Sequence, residues 1–319
     1  MSHLPETMRQ AQQRRFEGPA SIELAEVPLP KLNMAHVLVK MEAAGVNPID
    51  LYTAAGAGPA AATMDPEYRP VVLGWDLAGE VVAVTGEHHD FKVGDKVIAM
   101  PRFPYEAATF AEYVMVPVVD IAHAPSKGSV EEHGGLPVVG LTAYQSLFDK
   151  AQLREGERVL IHGGAGGVGH VAVQLAVQTG ATVFATGSER NRSFIESLGA
   201  SFIDYKEQDF VSELGATMDV VFDTVGGETF VKSLDVLTEG GRIVTVGGPA
   251  NFDQAVERGF KPFWNVLTPN AAQLATLAAL MDEGKLRIEV SRVLPLEQAS
   301  EAVAAMGAGG SRGKTVLVP

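Results

Sequence analysis

An apolar stretch, residues 159–162, runs directly into Gly163, Gly164, Ala165, Gly166, Gly167, Val168 and Gly169. Beyond it Val168, Val171, Ala172, Leu175 and Ala176 repeat at helical spacing. The pattern predicts a strand, a tight turn and a helix reaching about Gln178. Gly164, Gly166 and Gly169 keep G-x-G-x-x-G spacing, and each position has a physical reason to lack a side chain. The first makes the turn, the second lets backbone approach a pyrophosphate at the helix N-terminus, and the third lets helix pack on strand. Glycines alone could simply punctuate a βα turn, but with a strand before and a helix after, they predict a dinucleotide site formed by residues 164–169.

The tip of the next strand, about 20 residues past the first glycine, sets which nicotinamide cofactor is held. It reads Thr186, Gly187, Ser188, Glu189, Arg190, Asn191, Arg192. No carboxylate ends the strand to take a ribose 2′-hydroxyl, whereas Ser188, Arg190 and Arg192 offer donors and positive charge to a 2′-phosphate, which favours NADP(H). Glu189 opposes that reading, and the two arginines would serve equally in an ordinary solvated helical turn.

The chain has no cysteine, which removes disulfides, thiolate nucleophiles and sulfur-ligated metals from consideration. Its histidines show no metal spacing: His88 and His89 read as solvated surface and His162 ends the strand before the turn. A net charge of −14 disfavours nucleic acid and anionic membranes. The polar stretch through Arg15 is neither a signal peptide nor a membrane span, and no later segment is long and apolar enough to cross a bilayer. Cytoplasmic residence is the expectation.

These residues need elements to hold them. Residues 36–41, 80–84, 96–100 and 111–116 carry branched or alternating apolar side chains between turn signals and predict an antiparallel, β-rich domain. Residues 54–70, rich in Ala, Gly and Pro, read as a loop. Ser129 and Glu132 form a capping-box pair opening a mostly helical run through Phe148, where a second domain is expected to begin, near Pro125. Strands at 159–162, 182–186, 201–204, 219–223 and 242–246 then alternate with helices ending near Gln178, at 190–198 and at 228–237, which predicts a parallel sheet covered on both faces. A helix at 270–281, a strand at 286–290, a helix at 296–306 and a closing strand at 315–318 resume the mixed style of the beginning. The fold class expected is α/β.

The turn, with Gly140, Leu141, Thr142, Ala143 and Tyr144 before it, resembles the medium-chain dehydrogenase/reductase superfamily, specifically its quinone oxidoreductase-like branch. Residues 44–50 (Ala-Gly-Val-Asn-Pro-Ile-Asp) resemble that branch's G-V-N-x-x-D signature, residues 74–79 its G-x-D-x-A-G segment and residues 93–97 its G-D-x-V turn. The resemblance covers nearly the whole chain. It implies a GroES-like β-rich catalytic domain (1–124 and 263–319) around an inserted Rossmann NADP(H)-binding domain with a doubly wound parallel sheet (125–262), and an active site in the cleft between them. It also implies that Asn47 and Tyr52 lie beside the nicotinamide, that Thr142, Val246 and Gly247 hold its end, that Tyr205 approaches the 2′-phosphate, and that the chain is a homodimer. Zinc alcohol dehydrogenases of the superfamily place a cysteine and a histidine where this chain has Asn47 and Trp75, so no metal is expected.

Without a Lewis acid the substrate must already be an electrophile: a quinone or another small conjugated carbonyl takes hydride at carbon while its oxygen takes the charge. Asn47, Tyr52 and Asp50 are the catalytic candidates. Tyr52 serves either as proton donor or as an amphipathic wall, and Asp50 fits a structural acceptor better than a base. The sequence leaves three functions open: quinone reduction with NADPH, reduction of the C=C bond of enals or enones, and a non-catalytic NADPH-binding regulatory role.

Overall fold

The computed structural model describes residues 4–86, 90–248 and 250–319; His88 and His89 lie outside the described residues. In chain order the elements begin with strands β1 (Thr7–Gln13), β2 (Glu23–Pro28) and β3 (His36–Val46), then helices α1 (Pro48–Ala54) and α2 (Gly58–Ala61). Strands β4 (Val71–Val72), β5 (Leu77–Val84), β6 (Lys96–Ala99), β7 (Tyr113–Pro117) and β8 (Ile121–His123) follow, then helices α3 (Val130–Gly135) and α4 (Pro137–Tyr144), which continues as a π-helical segment, Gln145–Lys150. Next come β9 (Arg158–Ile161), α5 (Gly167–Gln178), β10 (Thr182–Gly187), α6 (Arg192–Ser197), β11 (Ser201–Asp204), α7 (Phe210–Leu214), β12 (Met218–Asp223), α8 (Glu228–Ser233), β13 (Leu237–Thr245), α9 (Phe252–Glu257) and β14 (Lys261–Trp264). The chain closes with α10 (Ala271–Asp282), β15 (Val290–Pro295), α11 (Ala299–Ala305) and β16 (Lys314–Val318).

Two compact units emerge. One comprises Met1–Val138, Thr268–Gly309 and Lys314–Pro319, the other Val139–Leu267 and Gly310–Gly313.

The first unit is β-rich. β3 is its spine: β5 pairs along one side, while on the other β7 pairs with residues 36–40 and β16 with residues 44–46, all antiparallel. The full order is β15-β16-β3-β5-β6-β8, with β7 added at β3 and β15 parallel to β16. A second, three-stranded sheet runs β2-β1-β4. Val37, Val39, Met41, Leu77, Val81, Val97, Phe110 and Leu317 are among the apolar side chains closing its core. Sharing β3 between two partners has a positional consequence: Thr315 stands opposite Val46, so Lys314 arrives opposite Asn47, the residue that opens α1.

The second unit holds a six-stranded parallel sheet in the order β11-β10-β9-β12-β13-β14. Chain order runs outward from β9 in both directions, so the sheet changes winding direction beside β9. In parallel sheets ligands bind at such a switch point, at the carboxyl ends of the strands. β9 is buried on both faces at Val159, Leu160 and Ile161, as a central parallel strand should be. α5 is buried from Gly169 to Ala176, including His170 and Gln174.

Several expectations are corrected. The capping box forms as read, Ser129 N–H to Glu132 at 2.7 Å and Glu132 N–H to the Ser129 hydroxyl at 3.3 Å. The helix it opens lies in the first unit, packed against β3 and β5, and the chain passes between the units at Val138/Val139, Leu267/Thr268, Gly309/Gly310 and Gly313/Lys314. The segment 54–70 contains the short helix α2. The helix expected at 228–237 stops at Ser233, and β13 begins at Leu237. No strand covers 286–289; Leu286 and Ile288 are buried as single side chains, and β15 starts at Val290. β1, β2, β4, β8 and β14 lie where no strand was read.

Candidate functional site

In the second unit the glycine turn crosses the carboxyl end of β9. Gly163 has φ +70, a left-handed backbone that suits glycine, and its amide donates to the Thr186 hydroxyl at 3.2 Å. Gly164 N–H reaches Thr186 O at 2.8 Å, tying the turn to the end of β10, and Gly166 N–H closes on Gly163 O at 2.9 Å. A Cβ on Gly169 would run into the carbonyl oxygen of Gly163, and one on Gly164 would stand 2.7 Å from the Ala185 methyl. Gly166 is different: its added Cβ would meet only Gly163 O, at 3.3 Å. Packing therefore demands Gly164 and Gly169, while Gly166 leaves bare backbone at the mouth of the turn. Gly166 is also the N-cap of α5 and offers no side-chain cap; the bridge to Gly313 takes up the backbone beside Gly166 on one side, which leaves the first-turn N–H groups at Val168 and Gly169 for an anion. The cradle fits a dinucleotide pyrophosphate.

His162 supports the turn from below. Its Nδ1 lies 3.1 Å from the Thr186 hydroxyl and its Nε2 2.9 Å from the Ser233 hydroxyl, which itself donates to Thr229 O at 2.6 Å. With the Ser233 proton spent on Thr229, Nε2 must carry the imidazole hydrogen and Nδ1 must accept from Thr186. Burial lowers the His162 pKa to about 4, against the pull of Asp223, so the ring is neutral.

At the tip of β10 the basic residues are present but engaged. Arg192 pairs with Glu189 through two contacts of 2.8 Å and lies over the Phe202 ring, and Arg190 donates to Gly310 O. Ser188 caps the short turn that follows, and Tyr205, just past β11, is about half exposed. Water screens an exposed ion pair such as Glu189–Arg192, so a phosphate could compete for the guanidinium. Gly310–Gly313, reached by the chain only near its end, belongs here too: Gly313 N–H bonds Ala165 O at 2.9 Å, and the Arg312 guanidinium sits 4.1 Å over the Phe194 ring. No sequence spacing signals that return.

Thr142, Val246 and Gly247 are brought together through a residue the motifs do not mark. Asn265, the residue after β14, donates to Thr142 O at 3.3 Å and Ser146 Oγ at 2.8 Å, and its backbone N–H bonds Thr245 O. Its Oδ1 is buried without a protein partner. Val246 N–H bonds Asp223 O and Gly247 N–H bonds the Thr245 hydroxyl, while a Cβ on Gly247 would stand 2.5 Å from Gly226 N. The ends of β12, β13 and β14 and the π-helical turn at Ser146 thus share one edge of the sheet.

In the first unit Asn47 and Asp50 meet, but inside the protein. Asp50 is fully buried and accepts from Asn47 N–H at 2.8 Å and Gly74 N–H at 3.0 Å, capping α1. Burial raises its pKa to about 7, against those two donors and the Lys314 ammonium. The Asn47 side chain, 2% exposed, gives its amide hydrogens to Asp76 at 2.8 Å and Gly45 O at 3.3 Å, and its oxygen receives Lys314 Nζ at 2.5 Å. Asp76 and Lys314 were not singled out in the sequence, although Asp76 lies inside a quoted motif. Tyr52 stands apart from this network, 55% exposed on α1.

Asn47 and Trp75 both have protein partners. The amide of Asn47 is committed at both ends, and Trp75 is fully buried with Nε1 donating to Tyr105 O at 2.9 Å and its ring edge-on to Phe103. Among the described residues no group of three His, Cys, Asp or Glu is arranged to hold a metal ion. Nor is any described helix long and apolar enough to cross a membrane.

Two family models match parts of the chain. Residues 33–126 match the alcohol dehydrogenase GroES-like domain, and residues 198–317 match a family described as zinc-binding dehydrogenase. The 2-methylene-furan-3-one reductase of Solanum lycopersicum is 33% identical over 306 residues, covering 92% of this chain and 74% of that one. The quinone oxidoreductase of Coxiella burnetii superposes with a TM-score of 0.92 at 37% identity, over 98% of this chain and 99% of that one. The Escherichia coli quinone oxidoreductase complexed with NADPH gives 0.86 at 26% identity, over 98% and 100%. The chain therefore belongs to the medium-chain dehydrogenase/reductase superfamily, in its quinone oxidoreductase-like branch, and is an NAD(P)H oxidoreductase.

Proposed function

We propose that this enzyme transfers hydride from NADPH to a quinone or similar small conjugated carbonyl without zinc. The observation that supports this reaction class is the engagement of Asn47 and Trp75: the amide bonds Asp76 and Lys314 and the indole bonds Tyr105 O, so neither stands as a ligand for a Lewis acid. An unactivated alcohol would then have no means of ionisation, so the acceptor must be electrophilic in its own right.

The bound cofactor supplies the hydride. This chain's residues bind and orient: the N–H groups at the start of α5 take the pyrophosphate, Ser188, Arg190, Arg192 and Tyr205 take the 2′-phosphate, and Thr142, Val246 and Gly247 hold the nicotinamide end. Tyr52 offers an exposed hydroxyl to the oxygen that gains charge. Reduction of an enal or enone C=C bond is the second reading, supported by the name of the tomato relative. A homodimer would use the open edge of the six-stranded sheet at β14, where Trp264 is half exposed, and light scattering would report it.

The test follows loss of NADPH absorbance with panels of quinones, enals, enones and simple aldehydes, repeated with NADH. Turnover of quinones with preference for NADPH is expected. Turnover confined to enals and enones would favour the second reading, and activity confined to unconjugated aldehydes would refute both.

A further inference from the structure

The place where the superfamily's zinc enzymes carry metal ligands holds, in this chain, a cation of its own. Lys314 is 3% exposed, the one buried lysine among the described residues. Its ammonium has three hydrogens and three oxygen partners: Val46 O at 3.0 Å, Asn47 Oδ1 at 2.5 Å and Asp76 Oδ2 at 3.2 Å. The cage is closed behind them. Asp76 Oδ2 also receives Asn47 Nδ2, Asp76 Oδ1 receives Val138 N–H at 2.6 Å, and a Cβ on Gly45 would run into Asp76. An ammonium taken out of water this completely persists only where its charge is met and its hydrogens are all bonded.

We propose that the oxygens of Val46, Asn47 and Asp76 form a cation site selective for a primary ammonium, and that Lys314 is its covalently tethered occupant. The geometry favours NH3+ over a divalent metal because the oxygens come from two neutral groups and one carboxylate, too little charge to strip water from zinc or magnesium. Strand pairing delivers the occupant: β16 runs beside the end of β3, so forming that pair seats the ammonium at the N-terminus of α1 and fixes which way the Asn47 amide faces. Lys314 is accordingly a positioning residue, and the inference holds whichever acceptor the enzyme reduces.

Truncation followed by chemical rescue tests it. Lys314→Ala removes three methylenes and the ammonium, the volume of propylammonium. The thermal midpoint should fall by roughly 5–10 °C, since a buried carboxylate loses its partner. Propylammonium should restore at least half of that loss saturably, while tetramethylammonium at equal ionic strength and zinc should not. Rescue by zinc alone, or by neither amine beyond the ionic-strength effect, would overturn the proposal. Lys314→Met keeps length without charge and should be similarly destabilised; wild-type stability in it would also overturn the proposal. Should neither variant fold, the unmodified protein still decides: nitrogen-15 spectra selective for lysine side chains should show a slowly exchanging NH3+ at neutral pH, and its absence would contradict a closed cage.

Discussion

The Thr186 hydroxyl stands between the phosphate-binding turn and His162, accepting from Gly163 N–H at 3.2 Å and meeting His162 Nδ1 at 3.1 Å. The chain of donors from Gly163 through Thr186 and His162 to Ser233 has one direction, and protonating the ring would reverse one of its links.

Stability against pH follows from this and from Asp50. His162 falls from 6.5 to about 4 on folding, so the unfolded chain binds the extra proton in that interval. Its contribution, on the order of 3 kcal/mol, is complete above about 6.5 and is lost as pH falls towards 4. Asp50 rises from 3.8 to about 7, so its contribution is complete in acid and is lost as pH rises across that interval. In urea unfolding, wild type minus His162→Gln should therefore climb with pH between about 4 and 6.5, whereas wild type minus Asp50→Asn should fall between about 4 and 7. Difference curves of the same sign would refute one of these assignments.

The glycines of the turn should separate by role. Gly169→Ala has no room, because its methyl would meet the Gly163 carbonyl, and it should unfold the turn and reduce soluble yield. Gly166→Ala meets a neighbour only at 3.3 Å and should fold, yet weaken NADPH binding by at least about tenfold, read by cofactor fluorescence, if bare backbone there faces the pyrophosphate. An unchanged dissociation constant for Gly166→Ala would remove the turn from the cofactor site.

At the tip of β10 the carboxylate of Glu189 occupies the guanidinium of Arg192. Glu189→Gln should free it and tighten NADPH several-fold without changing NADH, and Arg192→Ala should weaken NADPH about tenfold or more. Equal effects on both cofactors, in paired titrations, would show that the 2′-phosphate lies elsewhere.

Tyr52→Phe keeps the exposed ring and deletes the hydroxyl. As hydrogen-bond donor to the developing oxygen anion, Tyr52 predicts a fall in kcat of about tenfold or more with KM little changed. Unchanged turnover on a quinone and an enal would leave Tyr52 as a wall of the pocket.

Local signals made the nucleotide-binding unit legible. β9, the glycine turn and α5 are contiguous in sequence, and the Ser129–Glu132 cap is a contact over three residues. What escaped was held by distant partners. β1 reads as polar, yet it buries Met8 and Ala11 and pairs with β2 and β4, and β14 is only four residues long with a proline among them. Leu286 and Ile288 alternate like a strand and are buried, but no neighbouring strand reaches them; alternation reports burial, not pairing. Asn47 was found by its motif, whereas its partner Lys314 lies 267 residues away and no spacing rule connects them. Asn265 was missed for the same reason, its bonds to Thr142 and Ser146 existing only once β14 has joined the sheet.

The central claim is hydride transfer from NADPH to a conjugated acceptor with no metal taking part. Steady-state turnover of a quinone should be measured after exhaustive dialysis against a strong chelator, and again after zinc is added back. An unchanged rate in both states, with NADPH preferred over NADH, is the predicted result; loss of activity on chelation with recovery on zinc would contradict it.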